Sequence, residues 1–168
     1  ASVIGRLFRY RLLDHLAKHE KTLEKHLSQL EEKNLVYEER TVPELEYAFK
    51  HALTQEATYQ GILERRRREF HKRIADGIEN LYRERIEEFY EELAHHHKLA
   101  GNDEKAIEYL LKSGIKLAGQ FASQDALRYF NQAEELLEKS EKEHRKEKAM
   151  LYEKRGEVLQ WVGRWIEA

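Results

Sequence analysis

At His51 the chain changes hydrophobic period, and that change limits the folds open to it. Just before it, Tyr47 and Phe49 alternate with Ala48 and Lys50, as the two faces of a strand do. From Ala52 onward the apolar residues recur at helical spacing instead. The single proline, Pro43, lies ahead of the switch, so only glycines punctuate the remainder of the chain. A short mixed segment followed by a long helical one is a mainly α architecture.

The segment ahead of the switch has its own order. Phe8, Leu12, Leu13 and Leu16 share one helical face, which predicts a helix over residues 1–16. Leu23, Leu27 and Leu30 mark a second helix after the polar stretch Lys18–Lys21. Leu35–Arg40 and Leu45–Lys50 read as strands joined by a turn at Thr41–Glu44, where Pro43 fixes the backbone. Helix, helix, hairpin at this size is a winged-helix pattern, assigned to residues 1–60.

Residues 61–168 read as antiparallel helices. Gly61 breaks the helical pattern that starts at Ala52, and Leu63, Phe70, Ile74, Ile78 and Leu81 line the next helix. A helix over Ile86–Ala100 stops at Gly101, and Asn102 or Asp103 caps one running from Glu104 to about Phe121. Ser123 is the expected N-cap of a helix to Leu137. The charged stretch Lys139–Lys148 leads to a last helix through Val162, closed by Gly163, with Arg164 opening another.

Helical hairpins with short loops suggest a tetratricopeptide-like solenoid. Small residues fit that reading: Leu93, Ala94, Gly101, Ala106 and Leu110 have the spacing of one repeat. Ala126, Phe130 and Ala133 match a second-helix half. Tyr152, Gly156, Leu159, Gly163, Trp165 and Ala168 match a first-helix half and its turn. The period is uneven, since Ala106 to Ala126 spans 20 residues and Ala126 to Ala168 spans 42, against about 34 in a strict repeat. The fold class expected is therefore a small winged helix with a β-hairpin, followed by a divergent α-hairpin solenoid cut short at its C-terminal end.

Composition narrows function mainly by exclusion. Charged residues make up 37% of the chain, against about a quarter in an average globular protein. Yet the net charge is only −2, so no global field draws the chain to nucleic acid or a membrane surface. No cysteine is present, which removes disulfide and thiolate chemistry. No apolar run approaches the roughly 18 residues of a membrane span, and no charged-then-apolar leader opens the chain. A cytoplasmic protein is the expectation. The chain begins at Ala1 rather than Met and stops without a helix terminator, which reads as a piece of a longer protein.

Candidate chemistry is sparse. His95, His96 and His97 are consecutive, and helical neighbours point about 100° apart, so the three do not converge on one ion. His15 and His19 have i, i+4 ligand spacing beside Asp14 and Glu20, but no third ligand falls in a recognisable motif. No metal site is expected. Arg65–Arg68, Lys72 and Arg73 form a basic helix, flanked by Glu64 and Glu69. The second helix balances three lysines against three glutamates over Lys21–Lys33, and the hairpin carries Glu38, Glu39, Glu44 and Glu46 against Arg40 and Lys50. Phosphate contacts need net positive charge at the surface, so nucleic acid is not an expected partner. There is no phosphate-binding loop, dinucleotide turn, nucleophile elbow or zinc-protease motif. The residues at hand are not those of an enzyme.

Three strings carry a family resemblance: Ala1-Ser-Val-Ile-Gly-Arg6, Glu46-Tyr-Ala-Phe-Lys-His-Ala-Leu-Thr-Gln-Glu56, and Arg65-Arg-Arg-Arg-Glu-Phe-His-Lys-Arg73. Together they resemble bacterial predicted ATPases of the STAND class, the Phe-Lys-His-Ala-Leu-Thr-Gln-Glu string most specifically. In that family an AAA-like ATPase precedes a winged helix and tetratricopeptide repeats, often beside cyclase or kinase effectors. The family more often has an acidic residue where Leu7 stands. Its Walker motifs would lie ahead of Ala1, so ATP or ADP with Mg belongs to the parent protein and no cofactor is expected in this chain. The resemblance implies a regulatory and protein-interaction arm in signal transduction. It would couple nucleotide state in an upstream ATPase domain to a protein partner or signalling ligand held by the repeats. His51 matches the family's histidine that contacts the phosphates of bound ADP; a histidine packed between wing and helix is the plainer alternative. A DNA-binding transcription regulator and a tetratricopeptide scaffold without nucleotide are the rival functions.

Overall fold

The computed structural model describes residues 1–18 and 21–163. It is mainly helical, with one small antiparallel sheet, and divides into two compact units, Ala1–Glu84 and Arg85–Ala168.

The first unit opens with strand β1 (Leu7–Arg9) and helix α1 (Tyr10–Leu16), so the single helix expected over residues 1–16 is corrected. Helical spacing does not decide so short a stretch: Leu7, Phe8 and Arg9 pair with Ala48, Tyr47 and Glu46, and that ladder overrides the local preference. Helix α2 (Leu23–Glu32) leads to strands β2 (Val36–Arg40) and β3 (Glu46–Phe49). The sheet order is β1-β3-β2, with β3 central and all four of its residues buried. A bulge between Glu38 and Arg40 lets Arg40 face Glu46. Glu46 is buried, held by Arg9 at 3.6 Å and Arg40 at 3.9 Å.

Phe8, Leu27, Val36, Tyr47 and Phe49 form the core of the sheet side. The Phe8 ring stacks on Tyr47 at 5.9 Å and tilts against Phe49 at 5.7 Å. Helix α3 (Ala52–Gln60) follows β3, and α4 (Glu64–Leu81) packs against α1. Gly77 makes that approach close, because a Cβ there would stand 3.1 Å from Leu12 Cδ1 and 3.4 Å from His15 Cδ2. The first compact unit runs past residue 60 to Glu84, and α4 buries its Ile74, Ala75 and Ile78 face within it.

A 3-10 segment, Arg83–Phe89, precedes α5 (Tyr90–Ala100), which starts later than the helix expected from Ile86. The backbone breaks helical geometry at Arg85. Then come α6 (Asp103–Gly119), α7 (Ser123–Lys139) and α8 (Arg145–Trp161), each packed on the one before it, with α6 also against α8. Gly101 closes α5 at φ 76°, a left-handed turn that favours glycine. Asn102 caps α6, its side chain accepting from the Lys105 N–H at 3.4 Å. Ser123 does not cap α7 but is its first residue, behind Ala122. Helix α6 ends before Phe121, whose φ of 60° and exposed ring belong to the turn.

Candidate functional site

His51 stands between the end of β3 at Phe49 and the start of α3 at Ala52. Its backbone is extended, at φ −125° and ψ 127°, and it is the N-cap of α3. The His51 carbonyl accepts from the Thr54 N–H at 3.0 Å and the Gln55 N–H at 3.4 Å. The imidazole makes no capping hydrogen bond and is exposed, as are Ala52 and Leu53 after it. The first amides of a helix lack partners within it, and the dipole there favours an anion. An exposed imidazole at that end adds an N–H donor to the same region.

Helix α3 itself buries no residue. Its attachments are polar. Gln55 Nε2 donates to the Ser2 carbonyl at 2.7 Å. The Tyr59 hydroxyl meets Nε2 of His71 at 3.1 Å, and the two rings stand edge to face. Arg67 lies over the Tyr59 ring at 5.0 Å and donates to Gln60 Oε1 at 3.3 Å. His71 is buried in α4 three residues before Ile74 and seven before Ile78. Sequence reasoning passed over it, although that spacing put it on the apolar stripe of α4.

The basic helix is not one continuous patch. Arg68 pairs with Glu64 at 2.7 Å, Arg67 covers Tyr59, and Arg73 donates to the Leu16 carbonyl. Arg65, Arg66 and Lys72 are exposed. The exposed face of α2 mixes Glu24 and Glu32 with Lys25 and Lys33.

Of the histidine tract, His95 is exposed while His96 and His97 are buried. The His97 ring lies parallel to Tyr109, centroids 5.6 Å apart, and His95 meets His96 edge to face. Desolvation by the surrounding protein pushes His95 below the usual imidazole range although its surface is exposed, with Glu92 opposing. His15 packs over Gly77; His19 and Glu20 lie outside the described residues. Among the described residues no three His, Cys, Asp or Glu side chains gather to hold a metal, and no helix is long and apolar enough to cross a membrane.

The expected repeat positions divide by role. Ala94, Ala106, Ala126, Phe130, Ala133 and Gly156 are buried, whereas Gly101 and Gly163 are exposed turn residues with positive φ. Arg164, Trp165 and Ala168 lie outside the described residues. Gly114 was missed, yet the Phe130 ring lies directly against it. Ala94 and Ala106 are 12 residues apart, and Gly114 and Ala126 are too. Helix α6 thus buries two small residues, Ala106 and Gly114, eight positions apart.

Clefts open among the described residues of these helices. One of about 460 Å³ involves Lys98, Arg128 and Tyr129 of α5 and α7, above Leu110. Another, about 560 Å³, is bordered by α6 and α8, where Lys105, Lys112 and Lys146 mix with Glu104, Glu108 and Glu147. Comparison with family models, curated proteins and solved structures gives no match to the chain.

Proposed function

We propose that this chain is the regulatory and interaction arm of a STAND-type signalling ATPase, a winged helix followed by tetratricopeptide-like repeats. The order β1, α1, α2, β2, β3, with β1 and β2 flanking β3, is compatible with a winged helix read from its first strand. Consecutive antiparallel helices with small residues buried at 12-residue intervals favour the repeat reading. The observation that carries the functional reading is His51, exposed at the N-cap of α3 where strand gives way to helix. There it would donate to a phosphate of ADP held by an upstream ATPase domain and favour the resting state. The repeats, through clefts of mixed charge, would hold a protein partner or signalling ligand.

The test is ADP release. Alone, the 168-residue chain should bind ADP negligibly, because its sequence contains no phosphate-binding loop to supply most of the donors. Joined to the ATPase domain, it should slow ADP release. Release at the same rate with and without this chain would refute the reading.

A further inference from the structure

We propose that α3 is a detachable element, held to the first unit by a polar latch at Tyr59 and His71, which opens while the unit's core stays folded. The inference rests on the reading of His51 as a phosphate contact for its functional meaning, but not for its physics. Helices in globular proteins are usually held by an apolar face packed on the core. Helix α3 has none: no residue is buried, and Leu53 is 82% exposed.

What attaches it is concentrated near its C-terminal end. The Tyr59 hydroxyl and His71 Nε2 share a hydrogen bond at 3.1 Å, and Arg67 covers the Tyr59 ring. Gln55 adds one bond to the Ser2 carbonyl. His71 belongs to the core through α4, so the latch joins a loosely packed helix to a firmly packed one. The Phe8, Leu27, Val36, Tyr47 and Phe49 cluster includes no α3 residue, so release of α3 leaves it intact. Segments with few buried apolar contacts open at a small fraction of the global unfolding energy. A contact made or lost at His51, at the opposite end of the same helix, would then bias the latch. An anion at the N-cap becomes a change in helix attachment.

Amide hydrogen exchange on the 168-residue chain tests this without nucleotide, so its result stands apart from the ADP reading. The readout is the amides of Glu56–Gln60 against those of Ile74–Ile78 in α4. The α3 amides should exchange at least about tenfold faster, since they open locally. Tyr59→Phe keeps the ring and removes the hydroxyl. It should speed α3 by about two- to tenfold, the loss of one hydrogen bond, and leave α4 unchanged. Gln55→Ala, at the other attachment, should act in the same direction. Equal protection of α3 and α4 would overturn the proposal. So would an α3 rate insensitive to both variants, or a Tyr59→Phe effect equal in both helices.

Discussion

Gly114→Ala adds one methyl group where α6 approaches the Phe130 ring closely. Its Cβ would stand 2.4 Å from Phe130 Cε1 and 2.7 Å from Cδ1, where unstrained carbons sit about 3.5–4.0 Å apart. Phe130 is fully buried, so the ring has no solvent to move into. Overpacking of this kind costs about 1–3 kcal/mol. Alanine also fits a helix better than glycine by about 0.5–1 kcal/mol, which offsets part of that. The net expectation is a loss of roughly 0.5–2 kcal/mol. Gly119→Ala, in the same helix with nothing within 4 Å of the new Cβ, supplies the control and should be neutral or gain up to about 1 kcal/mol. Urea unfolding followed by tryptophan fluorescence reads the second unit selectively, because both tryptophans, Trp161 and Trp165, belong to it. If Gly114→Ala is as stable as Gly119→Ala, the close approach of α6 to Phe130 is wrong.

Ala106→Leu and Ala126→Leu should each cost about 1–3 kcal/mol, since both methyls are fully buried between helices; unchanged melting temperatures would remove the repeat assignment. Burial raises the Tyr47 hydroxyl to about 12, with Glu38 adding to the effect, and burial with the Glu44 bond at 2.6 Å raises Tyr82 further. Both pKa values lie above their unfolded value of 10.0, so their contribution is complete below pH 10 and declines as pH rises past it. Circular dichroism should show the first unit weakening above that pH, with Tyr82→Phe flattening the decline; a stability constant through this range would contradict the tyrosine environments. The chain should show no salt-sensitive binding to random duplex DNA at low ionic strength, and micromolar affinity falling steeply with salt would promote the transcription-regulator reading.

Most helices were legible in the sequence because their stripes are long enough to fix a period, as Ile74, Ile78 and Leu81 show. The hairpin was legible from Pro43 and the alternation around Tyr47. Strand β1 was not: three residues carry no period, and only pairing with the central strand β3 selects their conformation. The extent of the first compact unit was not legible for a related reason, since Gly61 signals the end of a helix but not which partner the next helix finds. His51 was visible as a hinge. The latch behind it was not, because Tyr59 and His71 meet only once α3 folds back on α4. Gly114 looked like an ordinary helix glycine until Phe130 was set against it.

The central proposal is that His51 holds nucleotide in the resting state, and the ADP dissociation rate of the proposed parent ATPase measures it most directly. Loss of a hydrogen bond to a charged phosphate should make ADP leave His51→Ala about tenfold faster or more, with raised basal signalling. An unchanged ADP off-rate with unchanged basal output would contradict the claim and leave His51 as a surface residue at a helix cap.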